Sequence, residues 1–155
     1  MWILYAEFLV RGLDLTKARK VYGMAIGKCP RPKLFKAYAE LELQLGEVDR
    51  CRTIYEKFVS SYASNSAAWV EYALFEASLQ ENERARAIFD IAVNTESMDQ
   101  PEAIWKAYID FEEPPQARAL YEQLLKRTKH VKVWVSYARF ETEVEMSRGV
   151  FERAN

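Results

Sequence analysis

Carboxylates and guanidinium groups recur in step along this sequence. Glu42, Glu76, Glu112 and Glu141 each close an aromatic octet, and Arg52, Arg86, Arg118 and Arg148 each follow a small residue further on. An acid set beside a base is what general acid–base catalysis uses. A catalytic pair, however, belongs to one place in a chain, whereas these rows return with every unit, so they read as structural ion pairs. The other chemistries find even less to work with. His130 is the only histidine, so no nucleophile–histidine arrangement has an orienting partner and no histidine cluster can hold a metal. Cys29 and Cys51 match no metal spacing, and neither G-x-x-x-x-G-K-[ST] nor G-x-G-x-x-G occurs. No catalytic, cofactor-binding or metal-binding residue, and no small-molecule substrate, is therefore expected. Trp2, Trp69, Trp105 and Trp134, with the tyrosines three places on, could form a ladder for stacking bases. Sharing one stripe with small and aliphatic residues, they read instead as core.

The elements that carry these residues are helices. In "WVEYALFE", taking Trp69 as zero on a helical wheel, Tyr72, Ala73 and Phe75 fall at about −60°, +40° and −120°, one broad apolar stripe. Glu76 lands at about −20°, inside that stripe. A buried, unpartnered carboxylate is costly, and a planar guanidinium can satisfy both of its oxygens. In an antiparallel hairpin turning near Glu81, Glu76 and Arg86 lie at one level. The expected pairs are thus Glu42 with Arg52, Glu76 with Arg86, Glu112 with Arg118, and Glu141 with Arg148. Leu9 fills the acid position of the first octet, leaving Arg19 without this partner unless Glu7 substitutes or a preceding repeat is missing.

The octet itself repeats, as "WILYAEFL", "FKAYAELE", "WVEYALFE", "WKAYIDFE" and "WVSYARFE". Each copy is followed by a second pattern: "ARKVYGMA", "CRTIYEKF", "ARAIFDIA", "ARALYEQL" and "SRGVFERA". First aromatics are 33, 34, 36 and 29 residues apart, the length of a helix-turn-helix unit of an α-solenoid. The expectation is an all-α, right-handed superhelix of about five helical hairpins, with units 1–29, 30–63, 64–98, 99–129 and 130–155. Gly12 with Asp14, Gly46 with Asp49, Asn82 and Pro114-Pro115 mark the turns within hairpins, while Pro32, Ser66 and Asp99 with Pro101 mark helix starts at the joints. The small residues Ala18, Cys51, Ala85, Ala117 and Ser147 should accommodate the facing aromatics. The last two units are shorter between octet and arginine, which means tight turns, over Glu112–Gln116 and Thr142–Met146, or loop residues missing from the sequence. Met1-Trp2 opens the first helix without room for a cap and reads as a cut edge.

The chain has 155 residues, half of them hydrophobic, and a net charge of −1. That suffices for one globular domain, with no apolar run long enough to cross a membrane and no signal sequence expected. Few cysteines suit a reducing compartment, cytosol or nucleus. Residues 1 to 36 carry eight Lys or Arg against two acids, and residues 37 to 100 carry five against twelve. The basic residues at two joints, Lys28, Arg31, Lys33 and Lys36, and Lys126, Arg127, Lys129 and Lys132, are candidates for contact with phosphate or an acidic partner.

The pattern W-x-x-Y-x-x-F-E followed by A-R-x-[VIL]-[FY]-E resembles the half-a-TPR (HAT) repeat of RNA-processing scaffolds. "GKCPRPKLFKAYAELELQLGEVDRCRTIYEKF" and "KRTKHVKVWVSYARFE" are more specifically similar to the crooked-neck-like family of pre-mRNA splicing factors. That resemblance implies a nuclear, non-enzymatic scaffold in the spliceosome, with nineteen-complex proteins as partners and at most weak phosphate contact with snRNA or pre-mRNA. It also implies a longer array, of which this chain is a fragment or a much shortened version. Alternatives are a HAT scaffold of mRNA 3′-end cleavage or rRNA processing, or, in another class, a TPR-type peptide-binding co-chaperone. The latter expects a small residue where Glu76 stands and a basic clamp, neither of which repeats; a prenyltransferase α-subunit would show Asn-Tyr and Trp-His signatures, which are absent.

Overall fold

The computed structural model describes residues 1–154, with side chains through Arg148. The order along the chain is α1 (Trp2–Arg11), α2 (Leu15–Lys28), α3 (Pro32–Gln44), α4 (Val48–Ser61), α5 (Ser66–Ser78), α6 (Asn82–Asn94), α7 (Pro101–Phe111), α8 (Pro114–Arg127) and α9 (Val131–Ala154). Helices pair in sequence order into four hairpins, and the second helix of each packs on the first helix of the next unit. The result is the expected all-α solenoid. No described helix is long and apolar enough to cross a membrane.

Within a hairpin, small residues let the helices approach. Ala18, Cys51, Ala85 and Ala117 have no exposed surface, and the Cys51 thiol donates to the Ala39 carbonyl at 3.3 Å. Burial pushes that thiol's pKa up. Between hairpins, aromatic rings take over. Tyr22, Tyr55, Phe89 and Tyr121 of the second helices stack on Tyr38, Tyr72, Tyr108 and Tyr137 of the following octets, with ring centroids 5.1, 5.5, 4.8 and 4.9 Å apart. Phe75, Phe111 and Phe140 also lie against the Tyr55, Phe89 and Tyr121 rings. The aromatic stripe is core in part only. Trp105 is buried and Trp69 half-buried, but Trp2 is 39% exposed and Trp134 is 55% exposed, so the core reading fails for these two.

Three hairpins turn in one way. Leu13, Gly46 and Gln80 adopt φ of 59°, 74° and 63°, each four residues after Leu9, Glu42 or Glu76. In each, the next residue's N–H returns to the carbonyl of that earlier residue, Asp14 to Leu9, Glu47 to Glu42 and Glu81 to Glu76. This is the left-handed helix stop that favours glycine. Gly12, the breaker expected from the sequence, sits one residue early, at φ −81°.

The last two units depart. Prolines tolerate the first turn of a helix, where N–H groups have no intrahelical acceptor. Accordingly α8 begins at Pro114 itself, and the reversal is confined to Glu112 and Glu113, both extended, rather than spread over Glu112–Gln116. No turn forms over Thr142–Met146. Thr-Glu-Val-Glu-Met contains no breaker, so α9 runs on as one helix in place of the expected fifth hairpin.

Leu13 is almost fully exposed, so Leu13→Gly removes strain without removing packing. It should stabilise the chain by about 0.5–1 kcal/mol, and Gly46→Ala should destabilise it by about 1 kcal/mol, both read from thermal melts.

Candidate functional site

The repeated acids and bases do meet, but one unit out of step with the expected pairing. Arg19 Nε and Nη2 donate to the two carboxylate oxygens of Glu42, both at 2.8 Å. Arg52 binds Glu76 in the same fork at 2.9 and 3.0 Å. Arg86 binds Glu112 at 2.6 and 3.1 Å, and Arg118 binds Glu141 at 2.6 and 2.9 Å. The hairpin pairs Glu42–Arg52, Glu76–Arg86, Glu112–Arg118 and Glu141–Arg148 are not formed. Equal distance from a turn fixes the level of two residues but not the side of the helix they occupy. Each arginine follows the small residue that faces its own hairpin partner, and one step of about 100° swings it toward the next unit. Arg19 thus has its acid after all, and neither Glu7 nor a preceding repeat is needed to supply one.

The ladder is graded in burial. The side chains of Glu42 and Glu76 have no exposed surface, that of Glu112 keeps 3%, and that of Glu141 keeps 32%. Glu76 has a second cation in Arg84, whose Nε lies 3.5 Å from Oε1. Flanking acids on the same helices support the guanidinium groups, Asp49 on Arg52 and Glu83 on Arg86. Their carboxylate bonds hold the guanidinium protons more firmly than usual, with Glu76 and Glu112 the dominant causes for Arg52 and Arg86. Each acid is gripped by a fork from the neighbouring unit, so the arrangement joins one unit to the next.

Polar contacts at the loops lock the same joints. The Tyr62 hydroxyl donates to the Pro30 carbonyl at 2.6 Å. Asp99, expected at the start of α7, instead accepts from the Ser66 N–H at 2.8 Å, while the Gln100 N–H donates to Ser66 Oγ at 3.0 Å. The Ser66 contacts hold the Asp99 carboxyl below its ordinary range. Periodicity gives no sign of these contacts, since each joint uses different residues.

The eight basic candidates do not form one patch. Arg127 donates to the Val93 carbonyl and Asn94 Oδ1, both at 2.7 Å, and lies over the Trp105 ring at 5.3 Å. Lys36 pairs with Glu71. Lys28 lies over Trp2, and Arg31 Nε donates to the Cys29 sulfur. Lys33, Lys126, Lys129 and Lys132 are exposed. Among the described residues no group of three or more His, Cys, Asp or Glu side chains is placed to hold a metal.

Residues 1–131 match the family model described as the PRP39 N-terminal HAT repeat. The chain belongs to this HAT-repeat family. Among similar curated proteins, "Crooked neck-like protein 1" of Mus musculus is 48% identical over 100% of this HAT chain and 24% of its own length. "Pre-mRNA-splicing factor clf1" of Aspergillus fumigatus is 51% identical over 93% of the HAT chain and 22% of its own length. "Pre-mRNA-splicing factor cwf4" of Schizosaccharomyces pombe is 46% identical over 91% and 22%. The HAT chain thus spans about a quarter of the length of the relatives it matches.

A double-mutant cycle on Arg52 and Glu76 should give a coupling of about 2 kcal/mol, while the cycle on Arg86 and Glu76 should give less than about 0.5 kcal/mol. Thermal or urea unfolding of the single and double alanine variants measures both. The Arg118 fork lowers the pKa of Glu141 from its ordinary 4.5. A carboxylate with a depressed folded pKa stabilises fully above the unfolded value and loses that contribution as pH falls through the folded one. Stability of the α8–α9 joint should therefore decline as pH drops below about 4.5, and Glu141→Gln should flatten that part of the pH profile.

Proposed function

We propose that this HAT-repeat chain is a protein–protein scaffold of the pre-mRNA splicing machinery, acting in the nucleus by binding and without catalysis. The observation that carries this reading is the 46–51% identity, over nearly the whole chain, to proteins named as pre-mRNA-splicing factors or crooked neck-like. The physical arrangement supports it. The ion-pair ladder and ring stacks hold units together, which leaves the outer helix faces free to vary and to meet partners. The expected partners are other spliceosomal proteins, nineteen-complex components among them. Contact with snRNA or pre-mRNA is expected to be weak, because most aromatic rings are engaged with other rings. Exposed Lys126, Lys129 and Lys132 are the proposed phosphate-facing edge.

Affinity purification of the tagged chain from nuclear extract, with crosslinking mass spectrometry, tests the reading. Splicing proteins should be recovered at defined repeats; recovery of chaperones by their C-terminal peptides, with no splicing proteins, would overturn it. Reversing Lys126, Lys129 and Lys132 to Glu should leave the melting temperature unchanged and reduce the salt slope of any single-stranded RNA binding by about 0.7 for each phosphate no longer neutralised. Arg127→Ala, in contrast, should lower the melting temperature.

A further inference from the structure

The second helices carry a further regularity that the ladder does not use. Five residues after the buried small residue stand Glu56 in α4, Asp90 in α6 and Glu122 in α8. At the third joint the Tyr108 hydroxyl donates to this acid, Asp90, at 2.9 Å; at the others the charge of Glu56 helps to raise the pKa of Tyr72 behind burial, and that of Glu122 the pKa of Tyr137 behind burial and Glu141. In α2 the same position is Gly23. A Cβ built there meets nothing within 4 Å. The space opens into a cleft of about 190 Å³ between α2 and α4, lined by Gly23, Ile26, Tyr38, Arg50, Thr53 and Lys57. Where the other joints hold a carboxylate, this one holds two cations and a void.

We propose that the cleft at Gly23 binds an acidic side chain of an extended peptide, so that the partner supplies the carboxylate this joint lacks. The cations are available. Lys57 has no carboxylate within salt-bridge distance among the described residues, and Arg50 has only exposed Glu47, 3.9 Å away. Glu42, the acid on the same face of α3 as Tyr38, is already held by Arg19. The surroundings favour peptide over nucleic acid. The Tyr38 ring already has one face stacked on Tyr22 with planes 5° apart, and Phe35 is buried, so the floor offers a base no pair of open rings to stack between. The inference rests on the scaffold reading only in taking a protein as the ligand.

The test is amide NMR of the whole chain titrated with octa-glutamate and, separately, with octa-uridylate RNA. Octa-glutamate should shift the amides of Gly23, Thr53 and Lys57. Gly23→Glu places the chain's own carboxylate in the cleft and should abolish those shifts without lowering the melting temperature. Lys57→Gln should weaken binding by about threefold to fivefold, the scale of one exposed ion pair, and Lys132→Gln should not change it. Absence of shifts in this cluster, shifts confined to Lys126–Lys132, or persistence in Gly23→Glu would overturn the proposal. Octa-uridylate binding there as tightly as octa-glutamate would also overturn it, by showing a general anion site. None of these outcomes depends on whether splicing proteins are recovered from extract.

Discussion

A carboxylate with no exposed surface needs its negative charge met in place, and here the two-pronged guanidinium fork that meets it comes from the unit before. Glu42 and Glu76 sit inside the apolar stripe of their helices, where an unpaired charge would destabilise the fold by several kcal/mol. The guanidinium that satisfies both oxygens of each one reaches across a joint. Ring stacking follows the same direction: an aromatic residue of each second helix is clasped by the tyrosine of the next octet and, at the later joints, by its phenylalanine too. Pairs of this kind add about 0.5–1.5 kcal/mol beyond the area they bury. The joints thus add strong neighbour terms to what each hairpin holds by its own packing, as in a one-dimensional array.

The loops adapt to this constraint in different ways. At one joint a phenol reaches a carbonyl, from Tyr62 to Pro30; at the next, Ser66 and Asp99 exchange backbone and side-chain bonds; at the third, Arg127 crosses to Val93 and Asn94. The chemistry of each loop is its own, while the level at which the units meet is common. Even the shortened reversal at Glu112 preserves it. There the acid lies at the helix cap rather than within the helix, yet Arg86 still grips both oxygens.

The repeat and its helical class were legible because each rests on periodicity, which a sequence displays directly; periodicity also marked the rows of acids and bases, but Glu141 is held by Arg118 rather than Arg148, and Arg19, left without a partner, has one. What was not legible depends on rotation and on neighbours. Level along a hairpin led to Glu76 with Arg86, although the helical step after Ala85 turns Arg86 away from its own partner. The exposure of Trp2 and Trp134 follows from what covers a stripe, not from the stripe. The turn after the first octet looked like a glycine turn at Gly12, but the left-handed residue is Leu13, fixed by its distance from Leu9. In α9 the similarity of "SRGVFERA" to earlier second helices suggested a hairpin, yet similarity cannot bend a segment with no residue that breaks a helix. Arg127 looked like one more cation open to a partner in a basic run, and only the placement of Val93 and Trp105 shows that, though exposed, it is already engaged.

The ladder also has a direction. At each of its four rungs the guanidinium comes from the earlier unit and the carboxylate from the later one. Two units joined in the reverse order would set leftover charges against apolar surface, a loss without compensation. Units taken from different places along the array and joined in the native order would keep their lock, because every rung uses the same two groups in the same orientation. The rungs therefore make the hairpins interchangeable as modules while fixing the sense in which they are read.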